Sequence, residues 1–505
     1  MGIKLDWQVE SEHTQMRAAE NPDARRARHR TQRRVLLMVI GLISLIALTA
    51  GLIAWRLEQV DTHFRQDLEA TVDVELATLR SGDFNAYTAL IRSESTDFAP
   101  EQEREFGEYQ ALMRLDAIDF RADGDGVDPG VLSMEIDDQR ARVVVQEVIN
   151  GKPYELVWFY WYYESGEEDE RGWRRVPDDY TFWGDEAEIS TAHVTITFRE
   201  LDRPLATALA PRLETWWVSG CALAGCPEPL PTLIVNIHPE PQGTLAVTWD
   251  VFDPWTLHIP SPLVERARSD DPLAPALVAI NPALDDPYRT WDIVEDASEK
   301  LAERLIRYTA NYEVPVNHAD AAWLEDELVR WLAGTLRADQ EPSVVGSRFI
   351  QTVLDLYGPQ APYTMLATLT PNATVGASLQ TVTGVPFGDL PLEQLEYLDW
   401  EDFLLWRLTL ESQLANPDTS GAFRSLYDMG NPLTVPVAEN RLSNELTYVF
   451  RYTGQAQMVV EQVDIDRDQF GSIQLWAEIS LVTGGQRQSE PIAWRLDYDT
   501  WLRTN

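Results

Sequence analysis

The chain is poor in the residues that metal and nucleophile chemistry most often uses. It holds two cysteines, seven histidines and three lysines in 505 residues. No two of the histidines are four residues apart, so the helical HExxH pair that holds catalytic zinc is missing. No GxSxG is present, which removes the nucleophile elbow of the serine hydrolases. Positive charge is scarce beyond the N-terminus. Residues 1–55 hold eight basic and five acidic residues, and the remainder carries a net −44. A surface of that sign repels phosphate backbones and anionic lipid, so nucleic acid is not an expected partner.

Long apolar runs are also missing, with one exception. Val35–Trp55 reads VLLMVIGLISLIALTAGLIAW, 21 residues without a charge. As a helix it spans the hydrocarbon core of a bilayer, roughly 30 Å. Its hydroxyls, Ser44 and Thr49, can bond to the helix's own carbonyls. The preceding ARRARHRTQRR is the positive flank that holds an N-terminus in the cytoplasm. A cleaved signal peptide would have a far shorter basic region and apolar core. The expectation is a single-pass signal anchor in the cell membrane, touching lipid through residues 35–55, with the C-terminal region outside. No Pro or Gly intervenes between Arg56 and Ser81, so the anchor is expected to run on as one helix.

Cys221 and Cys226 lie close together in GCALAGCP, beyond the anchor. In an oxidising compartment such a pair closes a small disulfide loop; the alternative is two buried thiols.

Past the anchor the apolar period is helical. Val60, Phe64, Leu68, Val72, Leu76 and Leu79 recur at three- and four-residue steps. Ser81-Gly82-Asp83 breaks the run, a short helix follows, and a third covers about 101–115. Then two strands meet at Asn150-Gly151, a hairpin signal, and GWRRVPDDYTFW supplies another strand. This order resembles the NTF2-like superfamily over residues 57–190, which implies an α+β cone. At the other end, 402–428 lays over the first helices and strand-like segments follow. Residues 401–505 therefore read as a second NTF2-like domain, the product of an internal duplication.

Between them, HVTITF, LIVNI and Thr244–Val251 look like strands, and ETWWVSGCALAGCPEPLP a loop or short helix. Helices are expected at 290–312, 320–337, 343–357, 363–370, 374–382 and 391–400. With WLEDELVRWLAG (323–334) and FIQTVLDLYG (349–358), the segment 191–400 resembles the peptidase MA-like gluzincin family. That resemblance implies a zinc helix followed by a helix bearing a carboxylate ligand. The nearest register to HExxH is Ser298-Glu299-Lys300-Leu301-Ala302, with Asp326 at the third-ligand place. Glu is kept, but both histidines are lost, so the expectation is a scaffold without catalytic zinc. The plainer reading of Glu299 is a solvated charge on an amphipathic helix whose apolar stripe is Ile293, Ala297, Leu301, Leu305, Tyr308 and Tyr312.

Other signals favour structure over chemistry. ADGDGVDPG (122–130) and DIDRDQFG (464–471) each miss a residue a calcium loop needs, and read as turns. WFYWYY (158–163) reads as a strand buried on both faces, or as the wall of an apolar pocket.

The sequence thus predicts an α+β, single-pass protein. It is divided into a basic tail (1–34), an anchor (35–55), an NTF2-like domain (57–190), a degenerate peptidase-like domain (191–400) and a second NTF2-like domain (401–505). Its expected role is non-enzymatic binding or assembly without a cofactor, through protein or small-ligand partners of the NTF2-like domains. Two alternatives are a zinc peptidase drawing on His318 or His258 with Asp326, and an enzyme with an acidic residue inside a cone.

Overall fold

The computed structural model describes residues 22–93, 95–115, 118–119, 130–164, 171–226, 229–239, 245–280, 287–310, 319–337, 347–398, 400–415, 419–443, 457–469, 471–483, 486–497 and 500–504. The chain packs as two units. The first runs to Phe106 and adds Val131–Val143 and Trp158–Pro177; the second takes the rest.

The first unit begins with α1 (Pro22–Ser81), a single 60-residue helix. The anchor and the expected core helix are therefore one element. From Leu36 it is long and apolar enough to cross a membrane, which makes this a membrane-anchored chain. Thr49 Oγ1 bonds to the carbonyls of Leu45 and Ile46, at 3.0 and 2.9 Å. Leu68, Val72, Leu76 and Leu79 then bury one face. Gly82, at φ 73°, ends the run, and Asp83 caps α2 (Phe84–Ala89) through Ala86 N. α3 (Phe98–Arg114) follows.

The strands after it are β1 (Ile118–Asp119), β2 (Gly130–Asp137), β3 (Arg140–Ile149), β4 (Lys152–Tyr163) and β5 (Gly172–Val176). β3 and β4 meet at the expected turn, with Asn150 at φ 52° and Gly151 at φ 71°, both left-handed as a type I′ turn requires. Trp158, Phe159 and Tyr160 are all buried, so half of the aromatic run is two-sided core, while Trp161 is 46% exposed. β5 ends at Val176, before Pro177, and is shorter than expected. Within this unit Glu75 on α1 accepts from Tyr160 Oη at 2.7 Å and pairs with Arg175 Nη1 at 2.9 Å. The backbone of Arg175 bonds to Leu90 O and receives Arg92 N.

The second unit holds β6 (Glu186–Ser190), β7 (Val194–Arg199), α4 (Arg203–Ala224), β8 (Leu233–His238), β9 (Thr248–Trp249), β10 (Thr256–Pro260), β11 (Ala267–Arg268), β12 (Ala276–Ile280) and β13 (Tyr288–Trp291). Of the segment read as a loop or short helix, residues 214–224 belong to α4, 22 residues long. Pro204 sits in its first turn, where no N–H is needed, and Gly225 at φ 79° ends it. Cys221 and Cys226 form a disulfide across that C-terminus. α4 carries the chain between β7 and β8, which pair in parallel and so need a crossover.

Helices follow: α5 (Ile293–Ala310), α6 (Ala319–Arg337), α7 (Arg348–Tyr357), α8 (Ala361–Thr368), α9 (Val375–Thr383), α10 (Leu392–Tyr397), α11 (Glu401–Leu414), α12 (Ser420–Ser425) and α13 (Thr434–Ser443). The chain closes with β14 (Gln457–Arg467), β15 (Ile473–Thr483), β16 (Gln486–Asp497) and β17 (Thr500–Arg503). The DIDRDQFG stretch ends β14 and turns into β15, with Asp468 Oδ1 accepting Ser472 N. The expected strand LTYVFRYTG and most of ADGDGVDPG lie outside the described residues.

The resemblances drawn from sequence are overturned by these sheets. Neither expected NTF2-like domain, 57–190 or 401–505, is a cone. Among the described residues the strand order around the hairpin, β1-β3-β4-β11 with β2 and β5 attached, is open, and β14-β15-β16-β17 is an open meander. Curling a sheet takes repeated bulges and strand tilt. Here β15 and β16 stay in register over ten pairs, and one shift, at Val460/Gln462, interrupts β14–β15. The degenerate peptidase MA-like reading of 191–400 fails as well. Its first strands join β6 in an open mixed sheet, β6-β7-β8-β10-β9, with a helix crossing inside it, where strands followed by helices were expected. One apolar core runs from Val194 to Trp501, across the expected boundary at 400.

The C-terminal module repeats the buried pair of the first. Glu411 on α11 pairs with Arg503 Nη1 and accepts from Tyr427 Oη. Arg503 N bonds to Leu426 O, and Asp428 N to Arg503 O. The two arginines make parallel bridges to Ile91 and Tyr427, each sixteen residues after its glutamate.

Candidate functional site

The residues expected at a lost zinc site are only partly brought together. Ser298 and Ala302 are one turn apart on α5, on the face that also buries Leu301, Leu305 and Ile306. Both point into the core, and Ser298 Oγ donates to Glu295 O at 2.8 Å. The register that mimics HExxH is therefore a packing stripe. Glu299 is half-buried. Burial raises its pKa, with repulsion from Glu295, Asp296 and Asp326 adding and Arg337 opposing. Asp326, on the neighbouring α6, thus lies within electrostatic reach of Glu299, but its exposed carboxylate is paired with Arg330 at 3.3 Å. His258, on β10, has Nε2 3.1 Å from Asp250. His318 lies outside the described residues. Among the described residues no three His, Cys, Asp or Glu side chains are arranged to hold a metal ion. Tyr308, expected in the buried stripe of α5, is only half-buried, and Tyr312 is outside the described residues.

A different feature has the size of a binding site. A groove of about 790 Å³ runs between α7, the α10–α11 connection and β14. Trp400 closes it from beneath: it is buried, donates Nε1 to Leu395 O at 2.7 Å, and packs against Phe349, Phe403 and Trp501. Tyr397 stands at the groove, 57% exposed. Among the described residues β14 is an edge strand, paired with β15 alone. Its position is fixed by Arg467, whose guanidinium donates to Gly388 O and Leu390 O, each at 2.8 Å. Four carboxylates line the groove, Glu396, Glu401, Glu461 and Asp464, against one guanidinium, Arg348. Glu401 also sits in the first turn of α11, where the helix dipole favours an anion.

Behind the α7 wall is a charge the sequence reading passed over. Glu327 is fully buried. Its carboxylate accepts from Ser347 Oγ, and Ser347 Oγ in turn accepts Ile350 N at 3.1 Å, capping α7. Burial pushes Glu327 up to about 7; the Ser347 bond and Arg330 pull down, and Asp402 and Asp326 push up. The signal for it was present: Glu327 falls four residues from both Trp323 and Trp331, on the apolar stripe of α6. The groove had no such signal, because its walls come from three separate segments, at 348–352, 396–401 and 460–465.

Asp202 is a second buried acid, at the start of α4. It accepts from Trp183 Nε1 at 2.9 Å and from Ser261 Oγ, and burial raises it to about 6. Its bonds tie α4 to the end of β10, which is a structural role. Compared with known proteins, the chain matches no family model and no curated protein.

Proposed function

We propose that this chain is a membrane-anchored, extracytoplasmic binding protein without enzymatic activity, and that the groove along β14 is its ligand surface. Among the described residues β14 borders the groove as an edge strand, which suits an extended polypeptide that adds backbone hydrogen bonds along the side of β14 away from β15. The carboxylates select a segment carrying positive charge, and Tyr397 offers a face for a guanidinium or ammonium. The single observation that carries the reading is that, among the described residues, β14 pairs with β15 alone and borders an acidic groove. The disulfide accords with an oxidising compartment, and the basic N-terminal flank with a cytoplasmic N-terminus.

The domain reading is kept in a reduced form: related helix–turn–open-sheet modules lie within 57–190 and 401–505, on either side of 191–400. The recurrence of a buried Glu–Arg pair, the arginine bridging in each case to a residue sixteen after the glutamate, supports it.

The test is binding of a fluorescent oligo-arginine peptide to the full chain in detergent. Expected is salt-sensitive binding that weakens at least tenfold in the Glu401→Arg, Asp464→Arg double variant, and not in a Glu186→Arg, Glu188→Arg control on β6. Equal loss in both variants, or no binding, overturns the reading.

A further inference from the structure

We propose that Glu327, Ser347, Arg330 and Asp402 form a proton-operated latch at the junction of α6, α7 and α11, closed when Glu327 is protonated and released when it is ionised. The latch would control the wall of the groove, and in that respect rests on the reading of the groove as a ligand surface.

The geometry is that of a buried carboxyl with too few cations. Arg330 is shared: Nη2 meets Glu327 and lies 3.3 Å from Asp326, while Nη1 lies 3.6 Å from Asp402 on α11. Three carboxylates therefore compete for one guanidinium. Among the described residues, the groups facing Glu327 are Arg330 and Asp326 on its own helix, Asp402 from α11 and the Ser347 hydroxyl from α7. α5, also packed on α6, directs Arg307 to Glu325 at 2.6 Å. With Glu327 protonated, Arg330 serves Asp326 and Asp402, and the neutral carboxyl keeps its hydrogen bond to Ser347. When the proton leaves to water, a buried anion stands beside two exposed or partly exposed ones. Opening the first turn of α7 hydrates it. That turn begins with Arg348, a groove residue, and Thr352 follows one turn later.

Direction follows from linkage. A carboxyl held neutral by the closed state ionises at the ordinary Glu value once exposed. The opening constant of the α7 N-terminus then rises about tenfold per pH unit above that value, and levels off once closed-state Glu327 is itself ionised. The change amounts to roughly 300-fold in all.

The experiment is hydrogen exchange of the full chain in detergent between pH 4.5 and 8.5, read at Ile350 and the next α7 amides and corrected for intrinsic exchange. Expected is the rise and plateau in the wild type, and a flat profile in Glu327→Gln. Ser347→Ala should raise opening at every pH while keeping the titration. A flat wild-type profile, or the same rise in Glu327→Gln, overturns the latch. Should Glu327→Gln fail to fold, a Ser347→Ala profile with no titration overturns it equally. The readout uses no ligand, so failure here leaves the groove reading standing, and failure of oligo-arginine binding leaves the latch standing.

Discussion

Arg175 Nη1 lies 2.9 Å from Glu75 Oε1 with both side chains closed off from water, and the guanidinium also covers the face of Trp158 at 4.5 Å. Removing one partner leaves the other charged and buried. Arg175→Met is expected to cost about 3–5 kcal/mol, and the double variant with Glu75→Met to recover part of it. Chemical denaturation of the full chain in detergent, followed by tryptophan fluorescence, gives the coupling. Additive single effects would show that the two side chains do not act as a pair.

The Glu411–Arg503 pair predicts the same behaviour at the other end of the chain. Arg503→Met is expected to destabilise by a similar amount, since both partners are fully buried. The measurement is loss of protection in hydrogen exchange along β16 and β17. Unchanged protection there would mean that the pair does not hold these strands.

Asp202 supplies a pH dependence with a defined sign. Its folded value, about 6, lies above the ordinary 3.8, so the folded state binds the proton more tightly. The stabilisation is fully present below the ordinary value and is lost as pH rises through about 6, a change on the order of 3 kcal/mol. Asp202→Asn should remove this part of the profile. Tm measured from pH 3.5 to 7.5 in wild type and variant checks it, the expected result being a difference that changes over that window.

The disulfide pins the end of α4, where Cys226 N also bonds to Cys221 O at 3.0 Å. For so short a loop the entropic contribution is about 2 kcal/mol. Replacing both cysteines by serine should lower stability by that order while leaving the fold intact. Exchange of the α4 C-terminal amides should rise locally, and a global loss of structure would contradict this placement.

α1 passes from the apolar segment to the first unit's core through exposed turns around Gln59 and Asp61. Gln59→Pro is expected to break the helix there, at about 3 kcal/mol locally, without opening the core that starts at Leu68. Spin labels on either side of Gln59 should show a widened distance distribution while the denaturation midpoint is kept. An unchanged distribution would show that packing, and not helix continuity, orients this segment.

Local patterns in the sequence determined the helices, the Asn150-Gly151 turn and the anchor. A 21-residue apolar run needs no tertiary partner to declare itself, and Asn-Gly adopts left-handed angles at little cost. The same local reading failed at α4, where residues 214–224 read as a loop or short helix and are the end of a 22-residue helix. Pro204 sits where no N–H is required, and Gly220 lets Leu305 approach to 2.5 Å from where a Cβ would stand. Whether the sheets curl was not legible, because curvature depends on registers between strands far apart in the chain. The Ser298–Ala302 register looked like a lost metal site until packing showed which way that face of α5 turns. The groove and the Glu327 junction belong to the tertiary structure in the same sense. Glu327 is one acid among 82 in the sequence, and only the packing of α6 against α7 and α11 removes its water and raises its pKa.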